Sequence, residues 1–418
     1  MDKPVRLPRI WRWSFVAFCF LIPYSLPAVD IADAPAETRM ATIERQQQEK
    51  AANLSPAGPD RIEGVLEKYI GDDPMNKYVG GIPGLNLRLG GLPSGSGVAA
   101  GLEYMRPDLA GGLMMFRMSA AGSTNLWHGL ETEFSFPRVG GRYLDASFLA
   151  RRVDATSIQY FGPGENSDKD RESNYHREEN SFGGTLVFKP TRRHLKLGLT
   201  TEYRLFNTSP GSGDDGHIER KFTPEEAPGI DHQTHYLQLS PFVDIDLRDK
   251  PSDPHRGTHL LLQFDRFDDR KHDRYSFQRF NGSLEHYIPF LNEKRVVALR
   301  AETVLSQADS GNVVPFYMQP TLGGSSDLRG YARYRFQDDS MFVTSAEYRW
   351  ELFTLMDTAL FVDAGKVFHR NRDFSFGHME IDGGFGFRFK TRDAVIFRVD
   401  TAFSREGYGL WFAFSHVF

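Results

Sequence analysis

The sequence predicts an all-β protein, a 16-stranded antiparallel transmembrane β-barrel. Three observations lead there. The chain closes on WFAFSHVF, where Tyr408, Leu410, Phe412, Phe414 and Phe418 share one face and Gly409, Ala413 and Ser415 the other. The same alternation recurs through roughly the last hundred residues, with charged residues on the face opposite the aromatic ones. The chain also opens on an export segment, yet no later stretch reaches the length of a spanning helix. Exported chains of this composition enter a bilayer as closed barrels, which satisfy every backbone group internally.

The export segment has the usual order of parts. Lys3, Arg6, Arg9 and Arg12 precede the apolar run Ser14–Tyr24, and Ala28 and Ala34 offer small-residue boundaries. Residues 1–34 therefore read as a signal peptide cleaved after about 28 or 34. The only cysteine, Cys19, falls inside it, so a mature chain without disulfides or cysteine chemistry is expected.

Residues 35–95 read as a short periplasmic N-terminal segment. Ile62, Val65, Leu66 and Tyr69 recur at helical spacing and give one amphipathic helix over Arg61–Tyr69. Gly80, Gly81, Pro83, Gly84, Gly90, Gly91 and Gly95 then interrupt regular structure. This segment offers little apolar surface for a core of its own.

The barrel is expected over 96–418. Its strands are read at 97–106, 111–121, 127–136, 142–152, 155–162, 174–189, 193–206, 233–247, 257–268, 275–288, 295–306, 342–353, 357–368, 379–389, 395–404 and 411–418. An even count puts both ends on the periplasmic side. The long polar stretches, including 309–339, then fall on the extracellular side, and short turns such as KPTRR and KTRD on the other. In 342–353, Phe342, Ala346, Tyr348, Trp350 and Leu352 oppose Glu347, Arg349 and Glu351. In 379–389, Ile381, Phe385, Phe387 and Phe389 oppose Asp382 and Arg388; in 395–404, Phe397, Val399 and Phe403 oppose Arg398 and Asp400. A basic residue facing lipid at mid-depth costs about 2–4 kcal/mol, so the charges line the lumen. Both signs occur there and can pair. That crowding favours a plugged barrel over an open pore.

One stretch is more specific. TLGGSSDLRGYARYR at 321–335 carries Arg329, Gly330 and Tyr331 behind the glycine pair Gly323 and Gly324. It resembles the barrel domain of the outer-membrane assembly factors of the BamA and TamA type, also called the bacterial surface antigen domain, which includes two-partner secretion transporters. FVDAG matches the family's Phe-x-Asp-x-Gly strand through Phe361, Asp363 and Gly365. Leu247–Gly257 resembles a family turn, and Phe418, with Phe412 and Phe414 on its face, resembles the terminal aromatic assembly signal. The matching elements cover roughly 240–418. The resemblance implies that loop 309–339 is the sixth extracellular loop, folded into the lumen, with Arg329 bound to Glu347 and Asp363. An arginine suits this role because its planar fork binds carboxylates bidentately. The family's periplasmic transport-associated domains have no convincing counterpart before residue 96, which resembles the barrel alone.

No enzyme is expected. The histidines at 176, 217, 232, 235, 255 and 259 form no HExxH-type spacing, and Ser340 and Ser345 have no nucleophile context. No cofactor or metal is implied. The formal charge of −5 argues against nucleic-acid binding. The resemblance implies a monomeric barrel in the bacterial outer membrane, in contact with lipid and lipopolysaccharide, that assists insertion or transport of outer-membrane protein or lipid, with unfolded outer-membrane proteins as clients. The alternatives are a passive or gated pore and a non-enzymatic surface or structural barrel.

Overall fold

A computed structural model describes residues 82–414 and Arg45, except 94, 192, 213–215, 292–293, 354–355 and 391–394. The expected signal peptide, the helix at 61–69 and Phe418 lie outside the described residues.

Sixteen antiparallel strands form one continuous sheet. They are β1 (Leu85–Leu89), β2 (Ala99–Asp108), β3 (Met114–Ser123), β4 (His128–Phe136), β5 (Leu144–Tyr160), β6 (Ser173–Thr191), β7 (Leu195–Pro210), β8 (Thr234–Asp246), β9 (Gly257–Asp269), β10 (Phe277–Phe290) and β11 (Arg295–Ala308). After the long loop come β14 (Ser340–Phe353), β15 (Met356–Phe368), β16 (Glu380–Lys390), β17 (Val395–Ser404) and β18 (Gly407–Phe414). Two short strands inside the loop, β12 (Thr321–Leu322) and β13 (Phe336–Gln337), pair only with each other.

The total of sixteen agrees with the sequence reading, but two strands differ. Residues 142–152 and 155–162 are one strand, β5. A bulge between Ala155 and Ile158 shifts its register against β6, and the break in alternation imitates a turn. The sheet begins earlier, with β1, whose five residues sit between glycines that read as breakers. These differences reverse the first hairpins. The connection 109–113 lies at the end of the barrel with the short turns, and 90–98 lies at the end with the long loops.

The two faces separate by polarity. Phe148, Phe182, Leu186, Leu239, Leu284, Leu360, Phe385, Leu410 and Phe412 point outward and are exposed. In water such a belt would be an aggregation surface; against lipid it is the barrel's solvent-matched wall. The inner face carries ion pairs from strand to strand, among them Arg117 with Glu131 and Glu133 (both 2.6 Å), Lys196 with Asp244 (2.8 Å) and Arg204 with Glu179 (2.5 Å). Strands β5 to β7, of 17, 19 and 16 residues, exceed the ~9–11 residues that cross a bilayer. Their upper parts and the loops form an aromatic cap. In it Phe316 packs edge-on to Tyr160 and Tyr175, at 5.4 and 4.7 Å between ring centres.

Candidate functional site

The loop 309–339 turns inward through a small hairpin. Thr321 pairs with Gln337 and Leu322 with Phe336. Its apolar residues Leu322, Leu328, Tyr331 and Phe336 pack on Val304, Met341, Val343 and Val367 of the inner wall. Gly323 and Gly324 have φ of 114° and 110°, where side chains are strained, and this lets the hairpin open into a tight turn. Asp327 closes the turn by accepting the Gly323 and Leu328 N–H groups, both at 2.6 Å. Gly365 permits close approach from the strand side, since a Cβ there would lie 3.0 Å from Leu322 Cδ1.

At the tip Arg329 is fully buried. Its Nε and Nη2 donate to the two oxygens of Asp363, at 2.7 and 2.9 Å, and its Nη1 donates to Glu347 at 2.5 Å. The guanidinium lies over the Phe361 ring, 3.3 Å from its centre. Thus Arg329, Glu347, Phe361 and Asp363 meet in one place. Register explains this: β14 and β15 pair Glu347 with Phe361 and Ser345 with Asp363, so both acids face the lumen on neighbouring strands.

The surroundings extend the network. Arg349 donates to Glu347 at 2.8 Å, and Arg388 bridges Asp400 (2.5 Å) and Glu347 (3.2 Å). Arg398 donates to Asp400 and to the Ser325 carbonyl, the latter at 2.7 Å. Asp382 accepts the Gly330 N–H at 2.9 Å. Arginines 329, 349, 388 and 398 thereby face Glu347, Asp363, Asp382 and Asp400, and all eight are buried. Both signs occur together, so the buried charges pair within the cluster.

Hydrogen bonds to the tip's backbone add to the ionic contacts. Trp411 Nε1 donates to the Arg329 carbonyl at 2.6 Å, and Ser404 Oγ to the Gly330 carbonyl at 2.7 Å. Tyr331 Oη donates to Glu380 at 2.7 Å. Gly330 is required by space: a Cβ there would lie 2.6 Å from Asp382 Cβ and 2.8 Å from Ser404 Cβ. Further along, Arg335 binds Glu406 of the last hairpin through two bonds of 2.8 and 2.9 Å. Arg333 stacks over Trp411 of β18 at 5.0 Å, while Tyr334 packs so tightly on Gly95, after β1, that a side chain at 95 would collide. One stretch of loop therefore touches the neighbourhoods of both edge strands.

Sequence reasoning placed Asp382, Arg388, Arg398 and Asp400 in the lumen without joining them to the loop. It missed Trp411, Ser404 and Glu380 as partners of the tip. Trp411 alternates with Gly409 and Ala413 on the inner face, and that position was its signal. Phe412 faces outward beside Phe397, with ring centres 6.0 Å apart. Phe414 ends β18, and Phe418 lies outside the described residues.

The barrel is similar to that of BamA from Haemophilus ducreyi, solved without its POTRA domains 1–3: TM-score 0.63, 16% identity, covering 79% of this chain and 69% of that one. CdiB from Acinetobacter baumannii gives TM-score 0.47 at 12% identity over 80% of this chain and 60% of that one. CdiB from Escherichia coli gives 0.48 at 13% over 79% and 60%. No curated protein sequence matches the chain. The Omp85 superfamily domain matches residues 116–406, which hold the whole inward loop and the strands that carry Glu347, Asp363, Asp382 and Asp400. With its sixteen strands and its buried arginine tip, the chain belongs to the Omp85 superfamily.

Proposed function

We propose that this protein is a loop-plugged barrel of the bacterial outer membrane that assists insertion or translocation of outer-membrane protein or lipid. The observation that carries the reading is the burial of Arg329 against Glu347 and Asp363, which fixes loop 309–339 inside the lumen. A barrel filled this way is poorly suited to steady diffusion through its centre. Its useful surfaces are the inner wall, the loop and the neighbourhoods of the two edge strands that residues 333–335 touch. The long loops are extracellular in this reading, and the partners are lipid, lipopolysaccharide and unfolded outer-membrane proteins. The barrel acts as a monomer and performs no chemistry. Phe412, Phe414 and Phe418 serve as its own terminal assembly signal.

The test is reconstitution. Liposomes containing the barrel are given a urea-unfolded outer-membrane protein, and its folding is followed by heat-modifiable mobility, alongside leakage of an entrapped small dye. The reading expects faster client folding with little leakage. The polar inner wall supports a second reading, a gated pore. Rapid leakage with no gain in client folding would establish that one instead.

A further inference from the structure

At the loop end, four connections line a half-open cavity of about 930 Å³. Its wall includes Asp338 and Asp339, where the inward loop leaves for β14, and His369, directly after β15. His369 Nδ1 lies 3.1 Å from Asp339 Oδ2 and 3.4 Å from Asp338 Oδ1. One donor atom from each residue falls within 4.8 Å of the others.

Asp338 is only 8% exposed, and Asp339 is largely buried. Among the described residues neither has a lysine or arginine within ion-pair distance; His369 is their only ionisable partner of basic type. The Asp338 carboxylate accepts the Asp339 N–H at 2.8 Å, and Asp339 accepts Gln319 Nε2 at 2.8 Å. Gln319 lines the same cavity, and its buried Oε1 has no hydrogen-bond partner. Two adjacent, largely buried carboxylates whose one basic ion-pair partner among the described residues is the exposed His369 make a set that a cation could bridge.

We propose that Asp338, Asp339 and His369 form a divalent-metal site that ties the exit of the inward loop to the connection after β15. Zinc bonds of about 2.0–2.2 Å to nitrogen and oxygen put tetrahedral neighbours roughly 3.3–3.6 Å apart, close to the 3.4 and 3.1 Å between His369 Nδ1 and the two acids. The imidazole favours zinc or another first-row ion over calcium or magnesium, which prefer oxygen donors. The cavity leaves room for water in the remaining positions. Sequence spacing hides the site because its ligands come from two separate connections. A second cluster, Asp154, His176 and Glu178, is a weaker candidate and a useful control, because Arg152 already occupies Glu178 at 2.8 Å.

The experiment uses the full folded chain without a polyhistidine tag, stripped with chelator and titrated with zinc chloride at pH 7.5 by calorimetry. One saturable site is expected. His369→Ala and the double variant Asp338→Asn/Asp339→Asn should each weaken it at least tenfold, and His176→Ala should leave it intact. Heat-modifiable mobility confirms that each variant is folded. Zinc should also slow protease cleavage within 309–339 in the parent and not in His369→Ala. Absence of saturable binding, unchanged affinity in His369→Ala, loss in His176→Ala instead, or equally tight calcium binding would each overturn the assignment.

Discussion

The inward loop is held at two heights by two different chemistries. Its tip is held by ions: Arg329 among carboxylates, with Trp411 and Ser404 fixing the backbone. Its entry limb is held by rings: Phe316 and Tyr317 sit in the aromatic cap, and Tyr317 Oη shares a hydrogen bond of 2.6 Å with Thr234. The tip anchor is directional and fails sharply when one partner goes, because the others stay buried and charged. The cap is spread over many contacts and degrades by degrees. One loop thus combines a specific lock with an adaptable seal, and the two can be broken separately.

Arg329→Ala should have the largest effect. Removing one partner of a buried pair costs about 3–5 kcal/mol, and here it leaves Asp363 opposite Asp382 across β15 and β16 with the cation gone. Limited proteolysis should then cleave within 309–339 while heat-modifiable mobility shows the strands intact. Arg329→Lys should restore protection only in part, since an ammonium cannot serve Glu347 and Asp363 as a fork does. These cleavage rates should change little with salt, because the lock is buried.

Phe316→Ala comes next. A buried Phe→Ala change costs about 3–5 kcal/mol, but the cap can relax, so the low end is expected. Cleavage should appear near 309–319 and leave the tip protected. A double variant with Arg329→Ala that cleaves as the simple product of the two single effects would show that the anchors act independently; a larger effect would show that the loop transmits strain between them. Gly330→Ala should cost about 1–3 kcal/mol by overpacking against Asp382 and Ser404. Its signature is partial loosening of the tip with every charge still present.

The smallest effect has the opposite sign. Burial raises the Asp338 and Asp339 carboxyls above their usual range. Their contribution to docking is therefore fully present below the ordinary carboxylate pKa of about 3.9 and is lost as pH rises through the raised value. In metal-free protein at pH 7.5, Asp338→Asn/Asp339→Asn should make the loop exit slightly harder to cleave. Faster cleavage would mean that the charged forms are favoured where they sit.

The two ends of the chain differed in how much of this could be read from sequence. From β9 onward, aromatic and charged residues alternate cleanly, and the expected strand 395–404 coincides with β17. Arg329, Glu347 and Asp363 were legible through the resemblance of the RGY loop and the FVDAG strand to family motifs. The first five strands were harder. The bulge in β5 broke the alternation, and β1 is too short to show a period. The cap was not legible at all. Val314, Phe316, Tyr317 and Met318 look like an apolar run in a loop, and the rest of their cluster comes from six distant strands and three other loops. Asp338, Asp339 and His369 escaped for the same reason, being brought together only by the fold.

Single-channel recording in planar bilayers tests the central claim most directly, that Arg329 holds the loop as a plug. The parent barrel should be closed most of the time with brief, small openings, and Arg329→Ala should open longer and wider in the same membrane. A steady, large conductance in the parent, or records from Arg329→Ala that match it, would contradict the plug.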